Sequence, residues 1–227
     1  MNSPLTAPST IPHDPAAEDL EHQREAIAAL GHELRRLVDA TVRTAASPAT
    51  LNRLAGGVRA LTEQLTGHRR QPADIPEVDE FPGGIRMYSP VTGTGSPIAP
   101  PMLVTPMDGG VIGRCLLGIA HEGPPGYGHG GVSAMLLDEL MGWACAAAGS
   151  PGMTISLQMR YQGPVPLETP LRVNAQVTGT DGRKVFVEGS IATEEAPSIT
   201  LVQADGIFVA PDPEAARALF PALDNTE

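Results

Sequence analysis

Apolar residues along this chain fall first into helical and later into strand spacing. From Ala16 to Thr44 they recur at helical intervals, at Leu20, Ile27, Leu30, Leu34, Leu37 and Thr41. Ser47-Pro48 then reads as an N-cap with proline at the first helical position. A second three-four alternation follows at Leu51, Leu54, Val58, Leu61 and Leu65. Together these predict an antiparallel helical hairpin over 15–68, with mixed charge on its solvated faces. Its apolar stripe has to cover something: the other helix, the main body or a second subunit. Residues 1–14 are rich in Pro, Ser and Thr and are expected to be disordered. The polar, acidic, proline-containing stretch around Arg70 to Pro82 reads as a linker, 69–84. Residues 90–110 are dense in Gly and Pro, which predicts a long loop.

After the loop the spacing drops to two. Val111–Ala120 reads as a strand, and a helix runs from Gly130 to Ala148, stopped at Gly149-Ser-Pro-Gly152. Thr154–Gln162 follows as a strand. Leu171, Val173, Ala175 and Val177 alternate with more polar residues, as do Val185, Val187 and Ile191, with a hairpin turn at Asp181-Gly182 between them. A last strand spans about Ser198–Ala210, closed by Pro211-Asp-Pro213, and 212–227 is left as a C-terminal tail. The helix at 130–148 is apolar in every direction, so it must be wrapped rather than laid on a surface. One wrapped helix followed by four consecutive antiparallel strands is an α+β arrangement, here the body of a domain at 85–211.

Composition narrows the choice of partner. At 227 residues the chain suits one sizeable core plus an appendage. With 41% hydrophobic but only 4% aromatic residues, aliphatic side chains have to fill that core. A formal net charge of −11 argues against nucleic acid and anionic membranes as partners. A polyanionic ligand would have to be met by a local cluster, and Arg160, Arg172, Arg183 and Lys184, the only lysine, are the basic residues of the C-terminal sheet. Cys115 and Cys145 sit in apolar stretches outside any CxxC pattern, as buried reduced thiols would. The first residues have neither a basic start nor an apolar core, and no apolar run approaches the roughly 20 residues of a membrane span. A soluble, cytoplasmic protein is the expectation.

Candidate chemistry concentrates in Glu122-Gly-Pro-Pro-Gly-Tyr127-Gly-His129-Gly130-Gly131, the apolar run after it, and Asp138. A glycine-rich turn opening a helix leaves backbone N–H groups uncovered, and these attract negative charge. A carboxylate inside an apolar helix is costly to desolvate and needs a partner or a task. Asp138 and Glu139 are the only charged residues between Gly131 and Gly149, and neighbours on a helix point about 100° apart, so at most one faces a given pocket. Glu139 is expected to pair with an arginine or reach solvent, and His121 to be a core or strand-edge histidine. His121, Glu122 and His129 follow no zinc spacing, so no metal is expected. Ser133 lacks the Gly-x-Ser-x-Gly elbow of a serine esterase.

The sequence resembles hotdog-fold acyl-CoA thioesterases of the PaaI and 4-hydroxybenzoyl-CoA thioesterase group. The resemblance rests on His129-Gly-Gly, a short apolar run, and an acid nine positions after the histidine. Gly123-Pro-Pro-Gly126 is similar to the THEM-type subset, and Thr154-Ile-Ser-Leu-Gln-Met-Arg-Tyr161-Gln-Gly-Pro-Val-Pro-Leu matches the strand and turn after the helix, so the likeness covers roughly 85–210. It implies a hotdog fold, an antiparallel sheet wrapped around one central helix, preceded here by the helical hairpin. It implies hydrolysis of acyl-CoA without a cofactor, Asp138 acting as nucleophile or general base. The Gly130 and Gly131 amides would hold the thioester oxygen, and Thr154 would sit near the acid. His129, nine positions before that acid, is read from its place as shaping the turn and polarising its amides, with proton transfer the other role open to it. Tyr127 would line the acyl or pantetheine channel, and Arg160, Arg183 and Lys184 would reach toward CoA. Eight residues of helix separate Gly130 from Asp138 by about 12 Å. The family answers this by pairing the turn of one chain with the acid of another, which implies a homodimer or homotetramer with active sites at the interface. The Asp-x-Asn-x-x-His pattern of MaoC-type hydratases is absent. The alternative is a non-catalytic acyl-CoA-binding or assembly protein on the same scaffold.

Overall fold

The helix that has to be wrapped is wrapped. In the computed structural model, which describes residues 15–210 and 212 apart from 68, 73 and 81–83, helix α3 spans Gly130–Ala147. Leu136, Leu137, Leu140, Met141 and Cys145 on it are all 0% exposed. The expected disorder of 1–14 and nearly all of the C-terminal tail lie outside the described residues. Strands β1 (Leu103–Met107), β2 (Gly110–Leu116), β3 (Met153–Tyr161), β4 (Pro170–Asp181), β5 (Lys184–Thr193) and β6 (Val202–Val209) form one antiparallel sheet in the order β1-β2-β4-β5-β6-β3. This is the hotdog arrangement. Alternate residues of the central strands face α3: Leu171, Val173 and Ala175, then Val185, Val187 and Ile191, then Val202, Ala204 and Phe208, all buried. Contact is close enough that a Cβ at Gly189 would lie 2.9 Å from Leu137 Cδ2. Glycine there lets sheet and helix approach.

Three boundaries differ from the sequence expectation. The stretch expected as a loop, 90–110, contains β1, an edge strand that tolerates Pro106 because a sheet edge leaves an N–H unused. Asp108-Gly109 turns it into β2, with Gly109 at φ +76°. The strand expected over Val111–Ala120 ends at Leu116, and Ile119–His121 forms a single turn of 3-10 helix. The last strand begins at Val202 rather than near Ser198.

Both N-terminal helices are present. Helix α1 runs Pro15–Arg43 and α2 runs Pro48–Gln64, with Ser47 Oγ accepting the Thr50 N–H as an N-cap should. Helix α1 clasps the segment leading into the sheet. Arg24 Nε donates to the Val78 carbonyl at 3.0 Å, and its guanidinium reaches Glu80 at 3.0 Å. Arg35 Nη1 donates to the carbonyls of Thr94 and Ser96, each at 2.7 Å. At Gly31 a Cβ would sit 2.5 Å from the Thr94 carbonyl oxygen. The stretch read as a linker is therefore irregular but partly packed, with Val78 3% exposed. Helix α2 differs: it has no buried residue, and Leu51, Leu54, Val58, Leu61 and Leu65 are 41–59% exposed. Its stripe lies open among the described residues.

Strand β3 is the other sheet edge and carries an irregularity that matters for the site. Thr154 pairs with Phe208 and Ser156 with Ile207, so Ile155 is an extra residue in the ladder. A bulge shifts the side-chain phase by one. Phe208 is buried against α3, so Thr154 shares its inward face with Leu157 and Met159, while Ile155 is left 57% exposed.

Candidate active site

The glycine-rich turn is built by its own hydrogen bonds. Glu122 Oε1 accepts the Gly126 N–H at 2.7 Å, and Gly126 adopts φ +82°, a left-handed value that suits glycine. The Gly123 N–H donates to Tyr127 O at 2.9 Å, and the Tyr127 N–H to Pro124 O at 2.9 Å. Further donations, from the Gly128 N–H to Val165 O at 2.8 Å and from the His129 N–H to His121 O at 2.9 Å, seat the turn on its neighbours.

His129 is the N-cap of α3. Its Nδ1 accepts the Gly131 N–H at 3.0 Å, which requires an unprotonated Nδ1 and satisfies one orphan donor of the helix. The Gly130 N–H has no such partner among the described residues. The Gly130 carbonyl accepts the Tyr161 hydroxyl at 3.0 Å. The peptide joining Gly130 to Gly131 is thus clamped at both ends, by Tyr161 on its oxygen and by His129 on its N–H. A Cβ at Gly130 would lie 3.3 Å from the Tyr161 ring, so the missing side chain admits the phenol. A cleft of about 310 Å³ opens here, with Gly130, Ser133, Tyr127 and Tyr161 among its lining residues. Tyr127 therefore stands at the mouth of the turn.

Two turns along α3, half-buried Asp138 accepts the Thr154 hydroxyl at 2.7 Å. The inward phase set by the Ile155 bulge is what delivers that hydroxyl. Asp138 and Thr154 meet, as do Gly130, His129 and Tyr161, but the two groups occupy separate stretches of α3 within one chain. Glu139 takes neither of its expected partners. It accepts hydrogen bonds from Ser89 Oγ at 3.1 Å and Thr92 Oγ1 at 3.3 Å, tying the loop before β1 to the helix.

The basic residues are dispersed. Arg160 pairs with Asp205 at 2.5 Å, while Arg183 donates to Ala210 O at 3.3 Å and lies 3.6 Å from Asp212. Lys184 is exposed with no ion pair among the described residues. Lys184 lies opposite Val209 and Arg160 opposite Gln203, six positions apart on β6 and so about 20 Å along it. His121 sits on the 3-10 turn rather than at a strand edge, with Nε2 3.1 Å from the Ile98 carbonyl oxygen. His121, Glu122 and His129 each engage a different partner. Cys115 and Cys145 are free and buried, and burial pushes their thiols up to about 12 and about 11.

Sequence reasoning missed Tyr161 and the loop hydroxyls of Ser89 and Thr92. Tyr161 had a signal, since it stands in phase with Leu157 and Met159 at the end of the strand. Ser89 and Thr92 had none, because they reach Glu139 across about fifty positions of chain.

The model of the thioesterase superfamily matches residues 125–199. Acyl-coenzyme A thioesterase THEM4 of Mus musculus is 34% identical over 97 residues, 43% of this chain and 41% of that protein. THEM4 of Xenopus laevis is 32% identical over 88 residues, 39% of each. The chain thus spans about two fifths of the length of these curated relatives. A solved thioesterase superfamily protein superposes with a TM-score of 0.72 at 36% identity, covering 81% of this chain and 90% of that one. With that identity extending over nearly the whole of the solved protein, the chain belongs to the thioesterase superfamily.

Proposed function

We propose that this protein hydrolyses acyl-CoA thioesters to the free acid and CoA. The observation that carries the reading is Asp138, one of the two carboxylates of a largely apolar helix, held at 2.7 Å by the Thr154 hydroxyl while Glu139 is tied to the loop before β1. The names of the THEM4 relatives support the choice of acyl-CoA as substrate class. Gly130 and Asp138 are separated by about 12 Å of helix, so one carbonyl carbon cannot touch both in a single chain. In this reading the acid comes from a second copy, and the working unit is a homodimer or homotetramer with its sites between chains.

The thioester oxygen would rest against the turn at the N-terminus of α3, where an uncovered N–H and the helix dipole favour developing negative charge. Asp138 takes a proton from water as the water oxygen bonds to the carbonyl carbon, and the π pair moves onto the thioester oxygen. When that pair returns, the C–S bond breaks with its electrons on sulfur, and the proton held by Asp138 passes to the leaving thiolate. Direct attack by the carboxylate is the other route. Its oxygen bonds to the carbonyl carbon, and the C–S bond breaks to release the CoA thiolate. Water then opens the resulting anhydride to the free acid and the restored Asp138 carboxylate, the proton set free passing to the thiolate. Thr154 fixes the carboxylate in either case. Tyr127 lines the approach, while Arg183 and Lys184 at the β4–β5 turn and Arg160, once released from Asp205, are candidates for the CoA phosphates. The reading calls for no metal or redox cofactor.

The test is free-thiol release from short, long and aromatic acyl-CoAs by the wild type and by Asp138→Asn. Asparagine keeps the shape and an acceptor for Thr154, so the fold should survive while kcat falls by about 10²- to 10⁴-fold. Near-normal turnover in the variant would overturn the reading. Binding of acyl-CoA without thiol release by the wild type would favour a binding module instead.

A further inference from the structure

Two donors ordinarily make an oxyanion site effective, and the sequence points to the amides of Gly130 and Gly131. The second of these is already used, because the Gly131 N–H donates to His129 Nδ1 at 3.0 Å. Gly131 is also absent from the lining of the cleft into which Gly130 opens. One turn further along α3, Ser133 does line that cleft. It is only 1% exposed. A hydroxyl so little exposed is costly to leave unpaired, on the order of 1–3 kcal/mol, and such groups normally find partners. Here the place a partner could come from is the cleft itself. Residues three apart on a helix share a face and are offset by about 4.5 Å along the axis. An oxygen held by the Gly130 N–H therefore lies within reach of Ser133 Oγ–H.

We propose that Ser133 Oγ–H is the second donor to the thioester oxygen, acting with the Gly130 N–H while the Gly131 N–H stays committed to His129. The assignment rests on the thioesterase reading above and adds a catalytic residue to it. It gives Ser133 a role that leaves its oxygen unbonded to substrate, since the hydroxyl donates and never attacks. His129 acts on the turn by holding the Gly131 amide, and Tyr161 by holding the Gly130 carbonyl.

The experiment is Ser133→Ala in the full-length protein, assayed by thiol release beside wild type and Asp138→Asn. Alanine removes only the hydroxyl and is the best helix former, so the melting temperature should hold or rise. Loss of one oxyanion donor lowers kcat on the order of 10²-fold, with KM little changed because the ground-state carbonyl carries less charge. A stable variant with that kcat loss supports the assignment. Wild-type kcat in Ser133→Ala, with Asp138→Asn inactive, would overturn the Ser133 role and leave the thioesterase reading standing. A kcat loss accompanied by a lowered melting temperature would also overturn it, since the hydroxyl would then be structural. No thiol release by the wild type from any acyl-CoA would overturn both.

Discussion

Replacing Thr154 by valine removes one hydroxyl and keeps the β-branched shape that a strand favours. The bond lost joins that hydroxyl to a carboxylate at 2.7 Å, a charge-assisted contact of the class worth about 1.5–3 kcal/mol. Thr154 is exposed and Asp138 half-buried, so solvent can replace part of the interaction. The lower part of the range is therefore the relevant one. If the bond holds Asp138 in its reacting orientation, that energy appears as about a 10- to 30-fold loss in kcat. KM should move little, because the substrate carbonyl is bound at the other group of residues. The decisive assay is a double-mutant cycle with Asp138→Asn, read by steady-state thiol release. Once the carboxylate charge is gone, Thr154→Val should cost almost nothing further. An unchanged kcat in the single variant, or the same loss in both backgrounds, would refute the reasoning: Thr154 would then be a strand residue that merely lies near the acid.

Two predictions concern stability. Gly56 and Gly57 lie inside α2, where an added Cβ would meet nothing within 4 Å, so alanine at both should strengthen that helix by about 1 kcal/mol each. Because α2 buries no residue, the gain should appear as slower amide exchange across 48–64 and not in the melting of the sheet; unchanged exchange would sink the idea. The thiols of Cys115 and Cys145, pushed up to about 12 and about 11 by burial, should resist a thiol reagent near pH 8 in the folded protein and react on unfolding. Their folded values lie above the unfolded one of 9.0, so the stability they contribute is full below pH 9 and falls as pH rises toward 11 and 12, by on the order of 1.4 kcal/mol per thiol per pH unit. A Cys115→Ala, Cys145→Ala variant should lose less stability over that range, and an identical alkaline decline would contradict the assignment.

What the sequence reveals and what it hides follow from the range of the interactions. An all-round apolar helix and alternating strands are local patterns, so α3, β4 and β5 are readable without a structure. Strand β1 escaped notice because Gly and Pro around it mimic a loop, although Asp108-Gly109 between apolar residues was a usable hairpin signal. Simple alternation along 153–161 groups Ile155 with Leu157 and Met159 and turns Thr154 outward. Resemblance put Thr154 beside the acid, and the bulge explains how it arrives. The use of the Gly131 amide by His129 is legible only as a possibility: a histidine at an N-cap can accept, but its ring rotation decides. The open stripe of α2 shows the converse. Its three-four spacing announces an apolar face, yet spacing cannot say whether that face is covered.

One strand carries both ends of the site. Thr154 holds Asp138 and Tyr161 holds Gly130, and the bulge at Ile155 puts both on the face toward α3. Yet seven positions of strand, less the one absorbed by the bulge, extend about 20 Å, while the eight helical positions they serve extend about 12 Å. A strand that outruns its helix by several ångströms can serve both points only if one side chain leans back across the gap. A short threonine cannot do so, whereas a tyrosine carries its hydroxyl some 6 Å from its backbone. The reach of Tyr161, the absent side chain at Gly130 that admits its ring, and the single extra residue at Ile155 thus answer one geometric demand. Each would be an odd local choice alone. Together they let an edge strand fix the turn that would receive the thioester and the acid that would serve a second copy's turn.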